Sequence, residues 1–173
     1  YQPADAGDMS QFGWQVLALR SAEQAGLVVP ATTKALMIKF LATCNTGANG
    51  GLAAYRPGFE ATRTMTAESL ACRMWLDSHR SVEQVKEASD FIVAQLPSIS
   101  RPDLYYWYYG SLSLRQVGGP AWQDWSGAMK LAVPALQLSD GSWGADTKWG
   151  GYGGKVYSTA MAVLCLESFY RYQ

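Results

Sequence analysis

The segment Ala160-Met-Ala-Val-Leu-Cys-Leu166 is apolar all the way around a helix. Trp14-Gln-Val-Leu-Ala-Leu19 has nearly the same character, with a single amide among apolar residues. A helix that is apolar all round is buried on every side, whereas an amphipathic helix faces water along one stripe. These two segments lie in odd-numbered members of a series of seven helices, and the even-numbered members are amphipathic. The alternation predicts an all-α fold in which inner helices are wrapped by outer ones.

The ends of the seven helices are marked by capping residues, glycine and proline. No Val/Ile-rich alternating segment with a hairpin turn is present, so no strand is predicted. The pattern places the helices at about residues 9–25, 30–44, 66–76, 81–97, from 103, from 119, and 157–171.

The connections between these helices are unequal in length. Inner-to-outer connections are short, whereas the outer-to-inner connections at 45–63 and 138–156 are long. Long loops in compact domains usually carry function. The functional face is therefore predicted at the end where the inner helices begin.

Composition excludes several classes of protein. The chain has 173 residues, 14 Lys+Arg against 14 Asp+Glu, and 16% charged residues. A balanced charge argues against a nucleic-acid binder and against attraction to an anionic membrane surface. The longest apolar run, Ala160 to Leu166, is far shorter than the roughly 20 residues of a transmembrane helix. The length predicts one domain, 1–173. The first residue, Tyr1, leads us to expect a piece of a longer protein. The composition does not indicate a cellular compartment.

Three cysteines and three arginines recur within the helices. Cys44, Cys72 and Cys165 belong to apolar helical runs and are predicted to be buried free thiols. A weak internal repeat aligns Leu17-Ala-Leu-Arg20, Leu70-Ala-Cys-Arg73, Leu112-Ser-Leu-Arg115 and Val163-Leu-Cys-Leu166. Each unit would be one inner and one outer helix, with the arginine in the C-terminal half of the inner helix, where carbonyl groups are free.

The segment Gln137-Leu-Ser-Asp-Gly-Ser-Trp143 resembles the Gln-x(3)-Gly-x-Trp repeat of squalene and hopene cyclases. The superfamily also includes the β-subunits of protein prenyltransferases. Flanking segments such as Tyr105-Tyr-Trp-Tyr-Tyr-Gly110 and Tyr157-Ser-Thr-Ala160 resemble bacterial proteins with this repeat. The resemblance implies an α/α toroid of concentric helices, which seven helices would leave incomplete or open.

Within this motif a structural role is expected for Gln137, Gly141 and Trp143. A glutamine at the end of an outer helix can bond the free N–H groups of a neighbouring helix, and a tryptophan can stack on the glycine turn. Such a clamp would join adjacent helical hairpins.

Few residues of this chain match the catalytic motifs of the superfamily. Cyclases use an Asp-x-Asp-Asp acid, which does not occur in the sequence. Prenyltransferase β-subunits hold zinc with Asp, Cys and His, and the only histidine here is His79, in the polar turn Asp77-Ser-His-Arg80. No metal or cofactor is predicted, and the catalytic residues, if there are any, are left unknown.

Candidate ligand-binding residues lie in two glycine-rich loops. The segment 140–154 supplies Asp140, Trp143, Asp146, Trp149 and Tyr152, and the segment 49–59 supplies Tyr55. Glycines let a backbone approach a ligand, and aromatic side chains offer flat stacking faces. The ligand would be an apolar isoprenoid or a carbohydrate chain. The alternative is that both loops are ordinary turns of the repeat.

Three functions remain open at this point. The first is a toroid module without cyclase or prenyltransferase activity of its own, which binds a ligand, another domain of a parent chain or a second copy. The second is part of a terpene-cyclase-like enzyme whose catalytic acid lies elsewhere. The third is a polysaccharide-acting enzyme on an α/α toroid, with Asp140 and Asp146 as its carboxylate pair.

Overall fold

The computed structural model describes residues 6–170 and is mostly helical, as predicted. A two-stranded antiparallel ribbon is the exception. In chain order the elements are α1 (Met9–Gln24), α2 (Ala31–Thr43), β1 (Asn45–Thr46), β2 (Leu52–Ala53), α3 (Arg63–Trp75), α4 (Val82–Val93), α5 (Leu104–Val117), α6 (Gly119–Ala135) and α7 (Gly150–Glu167).

Side-chain caps explain where several helices begin. Asp8, Thr62 and Asp103 each accept a hydrogen bond from a backbone N–H in the first turn of α1, α3 and α5. Ser81 and Gln84 form a capping box at the start of α4, with reciprocal hydrogen bonds of 3.2 and 3.0 Å. Each cap satisfies N–H groups that the first helical turn leaves free.

The prediction of no strand is wrong for the long connection between α2 and α3. There, Asn45 pairs with Ala53 and Thr46 with Leu52. Long-range bonds hold the loop between the two strands: Arg73 donates to the Asn45 side chain and to the Gly50 carbonyl. The Glu87 carboxylate accepts from backbone N–H groups of the same loop, including that of Gly51 at 2.7 Å.

The chain divides into two compact units, Tyr1–Phe91 and Ile92–Gln173. In the first unit α3 is the central element and contacts α1, α2 and β2. Its residues 65–73 are all buried. Helices α1 and α2 are joined by a Phe12–Phe40 ring contact and by a Lys34–Glu23 ion pair.

In the second unit α5 is the central element and contacts α6 and α7. Tyr106, Trp107, Tyr108 and Tyr109 are at most 1% exposed, so this aromatic segment belongs to the core. The Tyr106 ring meets the Trp125 ring edge-on at 5.2 Å, and the Trp125 indole N–H donates to the Ser111 hydroxyl.

The prediction that odd-numbered helices are buried on all sides holds for α3 and α5 but is wrong for α1 and α7. Helix α1 buries only Met9, Gly13 and Val16 completely. Helix α7 exposes Val156 and Val163. The two buried helices have neighbours on several sides, whereas α1 packs mainly on α3.

The repeated arginines and the cysteines have structural roles. Arg73 and Arg115 lie in the last turns of α3 and α5, as predicted, but they bond carbonyl groups of other segments; Arg115 donates to the Ser168 carbonyl. All three cysteines are buried and free, which confirms that prediction. Burial raises the pKa of the Cys72 and Cys165 thiols. None of the helices among residues 6–170 has the length and apolar character needed to cross a bilayer.

Candidate functional site

The Gln137–Trp143 motif forms a closed turn between α6 and α7. Gln137 and Trp143 pair as an isolated antiparallel bridge, and Gly141 adopts the positive φ of 84° that the turn requires. The Gln137 side-chain amide donates to the Gly141 carbonyl at 2.8 Å. The glutamine therefore closes its own loop, whereas we expected it to bond N–H groups of a neighbouring helix.

Trp143 anchors this turn in the second unit. The side chain is 4% exposed, and its indole N–H donates to the Val133 carbonyl at 2.8 Å. Its backbone N–H donates to the Thr159 hydroxyl of α7 at 3.1 Å. One residue thus links the end of α6 to α7, and it has no surface left for a ligand.

The Asp140 carboxylate is likewise used for bonds within and next to the turn. Its carboxylate accepts hydrogen bonds from the Ser142 N–H and hydroxyl, and it pairs with Lys155 at 2.6 Å. The hydrogen bond from Lys155, followed by those from Ser142, lowers the pKa of Asp140 well below its ordinary value. Asp140 therefore stays ionised and cannot serve as a general acid near neutral pH.

A cleft of about 440 Å³ lies where the α4–α5 and α6–α7 connections meet. The residues that line it are Gln95, Arg101, Pro102, Asp103, Asp146, Thr147 and Lys148. Asp146 is the one candidate from the sequence among them. Asp140 lies outside this lining, so the cleft does not hold the predicted Asp140–Asp146 pair.

The wall of the cleft is fixed by Asp103 and Lys148. Asp103 is buried; Oδ1 accepts from the Tyr106 N–H, and Oδ2 accepts from the Lys148 ammonium at 2.9 Å. The Lys148 backbone N–H also donates to the Pro102 carbonyl at 3.0 Å. Two bonds therefore tie residue 148 to the start of α5.

Thr147 and Gly150 hold the other side of this segment. The Thr147 hydroxyl accepts from the Gly150 N–H at 3.1 Å and lies 3.3 Å from the Ser158 hydroxyl. A Cβ atom at Gly150 would lie 2.2 Å from the Ala145 carbonyl oxygen, so only glycine fits. The segment is a rigid turn.

Arg101 and Asp146 are the charged groups of the cleft that form no ion pair in the described part of the chain. Both residues are exposed. Within residues 6–170, neither side chain makes an ion pair. The cleft thus presents one free guanidinium and one free carboxylate to solvent.

An exposed aromatic pair adjoins the cleft. The Trp149 and Tyr152 rings lie 6.2 Å apart and are 44% and 90% exposed. The Lys148 ammonium, in the cleft wall, lies 5.5 Å from the centre of the Trp149 ring. The sequence placed Tyr152 in a loop, but residues 150–153 form a first helical turn that is separated from the rest of α7 by Gly154, with φ 68° and ψ −171°.

Tyr157, the next aromatic residue along α7, is half-buried. Burial, followed by the negative charge of Asp103, raises the pKa of its hydroxyl to about 12. The phenol therefore stays protonated under physiological conditions and can act only as a neutral hydrogen-bonding group.

Tyr55, the remaining candidate, belongs to the first unit. It is half-buried, and its carbonyl accepts from the Met9 N–H at 3.0 Å. The Arg56 guanidinium lies 5.4 Å from the Tyr55 ring and 3.7 Å from the buried Asp8 carboxylate. Tyr55 thus helps to fix the start of α1.

Sequence reasoning missed Gln95, Arg101, Pro102 and Asp103. Asp103 was predicted only as the start of a helix. The connection 94–103 was not predicted to be functional because it is shorter than the connections 45–63 and 138–156. The available signal was the pair of prolines, Pro97 and Pro102, around a polar segment that contains Arg101.

Among residues 6–170, no group of three or more His, Cys, Asp or Glu side chains is arranged to hold a metal ion. His79 is exposed in the connection between α3 and α4. No match to this chain was found among protein-family models, curated proteins or solved structures.

Proposed function

We propose that this chain is a helical repeat module that binds a ligand without transforming it, and that the cleft and the Trp149–Tyr152 pair form its binding surface. The observation that carries the proposal is the exposed aromatic pair beside a cleft with an unpaired arginine and an unpaired aspartate. Ligand sites combine apolar contact area with a few polar groups that fix orientation.

Binding without catalysis is supported by the state of the carboxylates. A glycoside hydrolase needs one carboxyl group with a raised pKa as general acid and a second carboxylate across the scissile bond. Asp140 has a lowered pKa and is bonded by Lys155 and Ser142. Asp103 caps α5 and pairs with Lys148. Of the two carboxylates that line the cleft, only Asp146 is unpaired among the described residues, which is one carboxylate too few.

The fold proposed for the module is the incomplete α/α toroid of the terpenoid cyclase and prenyltransferase repeat. Two observations support it. Helices α3 and α5 are buried nearly all round, as inner helices would be. The Gln137–Trp143 motif links α6 to α7, as a clamp between helical hairpins would.

Tryptophan fluorescence tests the binding proposal directly. The probes are farnesol, neutral oligosaccharides and uronic-acid oligosaccharides, each titrated separately into the protein. We expect one class to change the emission of the wild type and to lose that effect in Trp149→Ala. Tyr152→Ala should weaken the same ligand, whereas Tyr170→Ala, which removes another exposed tyrosine of the second unit, should not. The absence of a response to all three classes would overturn the proposal.

The exposed face of α7 favours a second candidate function, which is association with another copy of this chain. Val156, Ala160 and Val163 recur at helical spacing, and all three are exposed. A two-fold dimer buries the same patch on both subunits, and the small Ala160 would permit close approach of two helices. Light scattering should then detect a dimer that Val156→Glu dissociates and that the control Val82→Glu, an exposed valine of α4, preserves; a monomer at all concentrations would exclude it.

A further inference from the structure

We infer that the ligand of the cleft is a neutral carbohydrate chain, an inference that rests on the proposed binding function. The groups that carry it are Arg101 and Asp146 in the cleft and the rings of Trp149 and Tyr152 beside it.

The charges of the cleft match a neutral ligand. Lys148 and Asp103 neutralise each other at 2.9 Å. The unpaired charges that remain in the cleft are the positive charge of Arg101 and the negative charge of Asp146. An anionic ligand that reaches Arg101 would meet the Asp146 carboxylate, and a cationic ligand would meet Arg101. A sugar hydroxyl both donates and accepts, so a neutral polyol can use both groups with charge-assisted hydrogen bonds.

The lining argues against an isoprenoid. Among its seven residues only Pro102 is apolar, and the others carry amide, hydroxyl or charged groups. Burying an isoprenoid there would desolvate the unpaired charges of Arg101 and Asp146 without giving them partners, which is costly. A sugar instead satisfies them with its own hydroxyls.

The aromatic pair extends the site beyond the cleft. A pyranose ring has a C–H face that packs on a flat aromatic ring, while its hydroxyls point outwards to polar groups. Trp149 and Tyr152 place two such rings next to each other, outside the cleft wall that Lys148 forms. A ligand that occupies both the cleft and the aromatic pair is therefore a chain of several sugars.

The test is a glycan array with neutral and uronic-acid oligosaccharides, followed by calorimetry on the strongest hit and on farnesol. We expect a neutral oligosaccharide to bind with little dependence on salt. Asp146→Asn and Arg101→Gln should each weaken binding about tenfold, the loss expected for a hydrogen bond to a charged group. Asp124→Asn, which changes an exposed aspartate of α6, is the matched control and should bind like the wild type.

The possible failures are distinguishable. Binding of a uronic-acid oligosaccharide or of farnesol, with loss in Trp149→Ala and no binding of neutral glycans, overturns the assignment of a neutral carbohydrate and keeps the binding function. A neutral glycan whose affinity is unchanged in both Asp146→Asn and Arg101→Gln also overturns it. No binding by any of the three classes removes the proposed function as well.

Discussion

Asp103 fixes two segments with one carboxylate, because one oxygen caps α5 and the other holds Lys148. Its role as a helix start is visible in the sequence, since aspartate is a preferred N-cap. Its role in the cleft is not, because nothing local to residue 103 shows that residue 148 will lie beside it. The sequence likewise does not show that Arg101 and Asp146 line the same cleft, because only the folded unit brings them there.

Gly110 of α5 lies directly against the Trp125 ring of α6. A Cβ atom at this position would lie 2.2 Å from Cζ2 of the buried Trp125 ring. We expect Gly110→Ala to lower the free energy of unfolding by about 1–3 kcal/mol, as overpacking of a core does. Gly127→Ala in α6, where a Cβ would meet nothing within 4 Å, should instead raise it by about 0.5–1 kcal/mol. Urea denaturation measures both; equal effects of the two variants would contradict this packing.

Asp140 gives a prediction for pH dependence. Because its pKa is lowered in the folded state from an ordinary value of 3.8, its contribution to stability is fully present above that value. That contribution is lost as the pH falls below 3.8 towards the folded-state pKa. Asp140→Asn should therefore be less stable than the wild type at pH 7, and the difference should shrink by pH 3. A difference that persists unchanged at pH 3 would show that the ion pair with Lys155 does not stabilise the fold; Asp146→Asn is the control.

Capped helix starts were predictable, whereas helix exposure was predicted correctly for α3 and α5 but not for α1 and α7. Caps such as Ser81 with Gln84 act within one turn, so the sequence places them well. Whether α7 is buried depends on which elements pack around it. The sequence of its apolar segment does not contain that information, so it could not show that Val163 is exposed. The ribbon of β1 and β2 was missed for a related reason, since distant Arg73 and Glu87 hold its loop.

The break in α7 is a feature that substitution can test. Gly154 adopts a conformation that is essentially restricted to glycine, with φ 68° and ψ −171°. Gly154→Ala should lower the free energy of unfolding by about 1–3 kcal/mol, although a Cβ there would meet no atom within 4 Å. Gly151→Ala, in the same helix and with equally open space, should be neutral or stabilising. If both variants behave alike in thermal denaturation, the break is not enforced by residue 154.

The two units each contain a buried thiol, so their stability can be followed separately. Cys72 lies in the first and Cys165 in the second, and both are 0% exposed with a raised thiol pKa. We expect iodoacetamide to label each at least about 1,000-fold more slowly in the native protein than in urea, because labelling requires unfolding. Mass spectrometry of the labelled peptides gives the two rates. Rapid native labelling of either cysteine would contradict the packing of that unit.

The single residue Gly118 between α5 and α6 has a consequence for the order of folding. Closing a short connection costs little entropy, and contacts near in sequence form fast. The α5–α6 hairpin is thus expected to be the nucleus of its unit, with α7 docking later across its longer connection. Stopped-flow kinetics should give Ser111→Ala, which removes the bond to Trp125, a φ-value above about 0.5, and Cys165→Ala a value near zero. The reverse order would place the nucleus on α7.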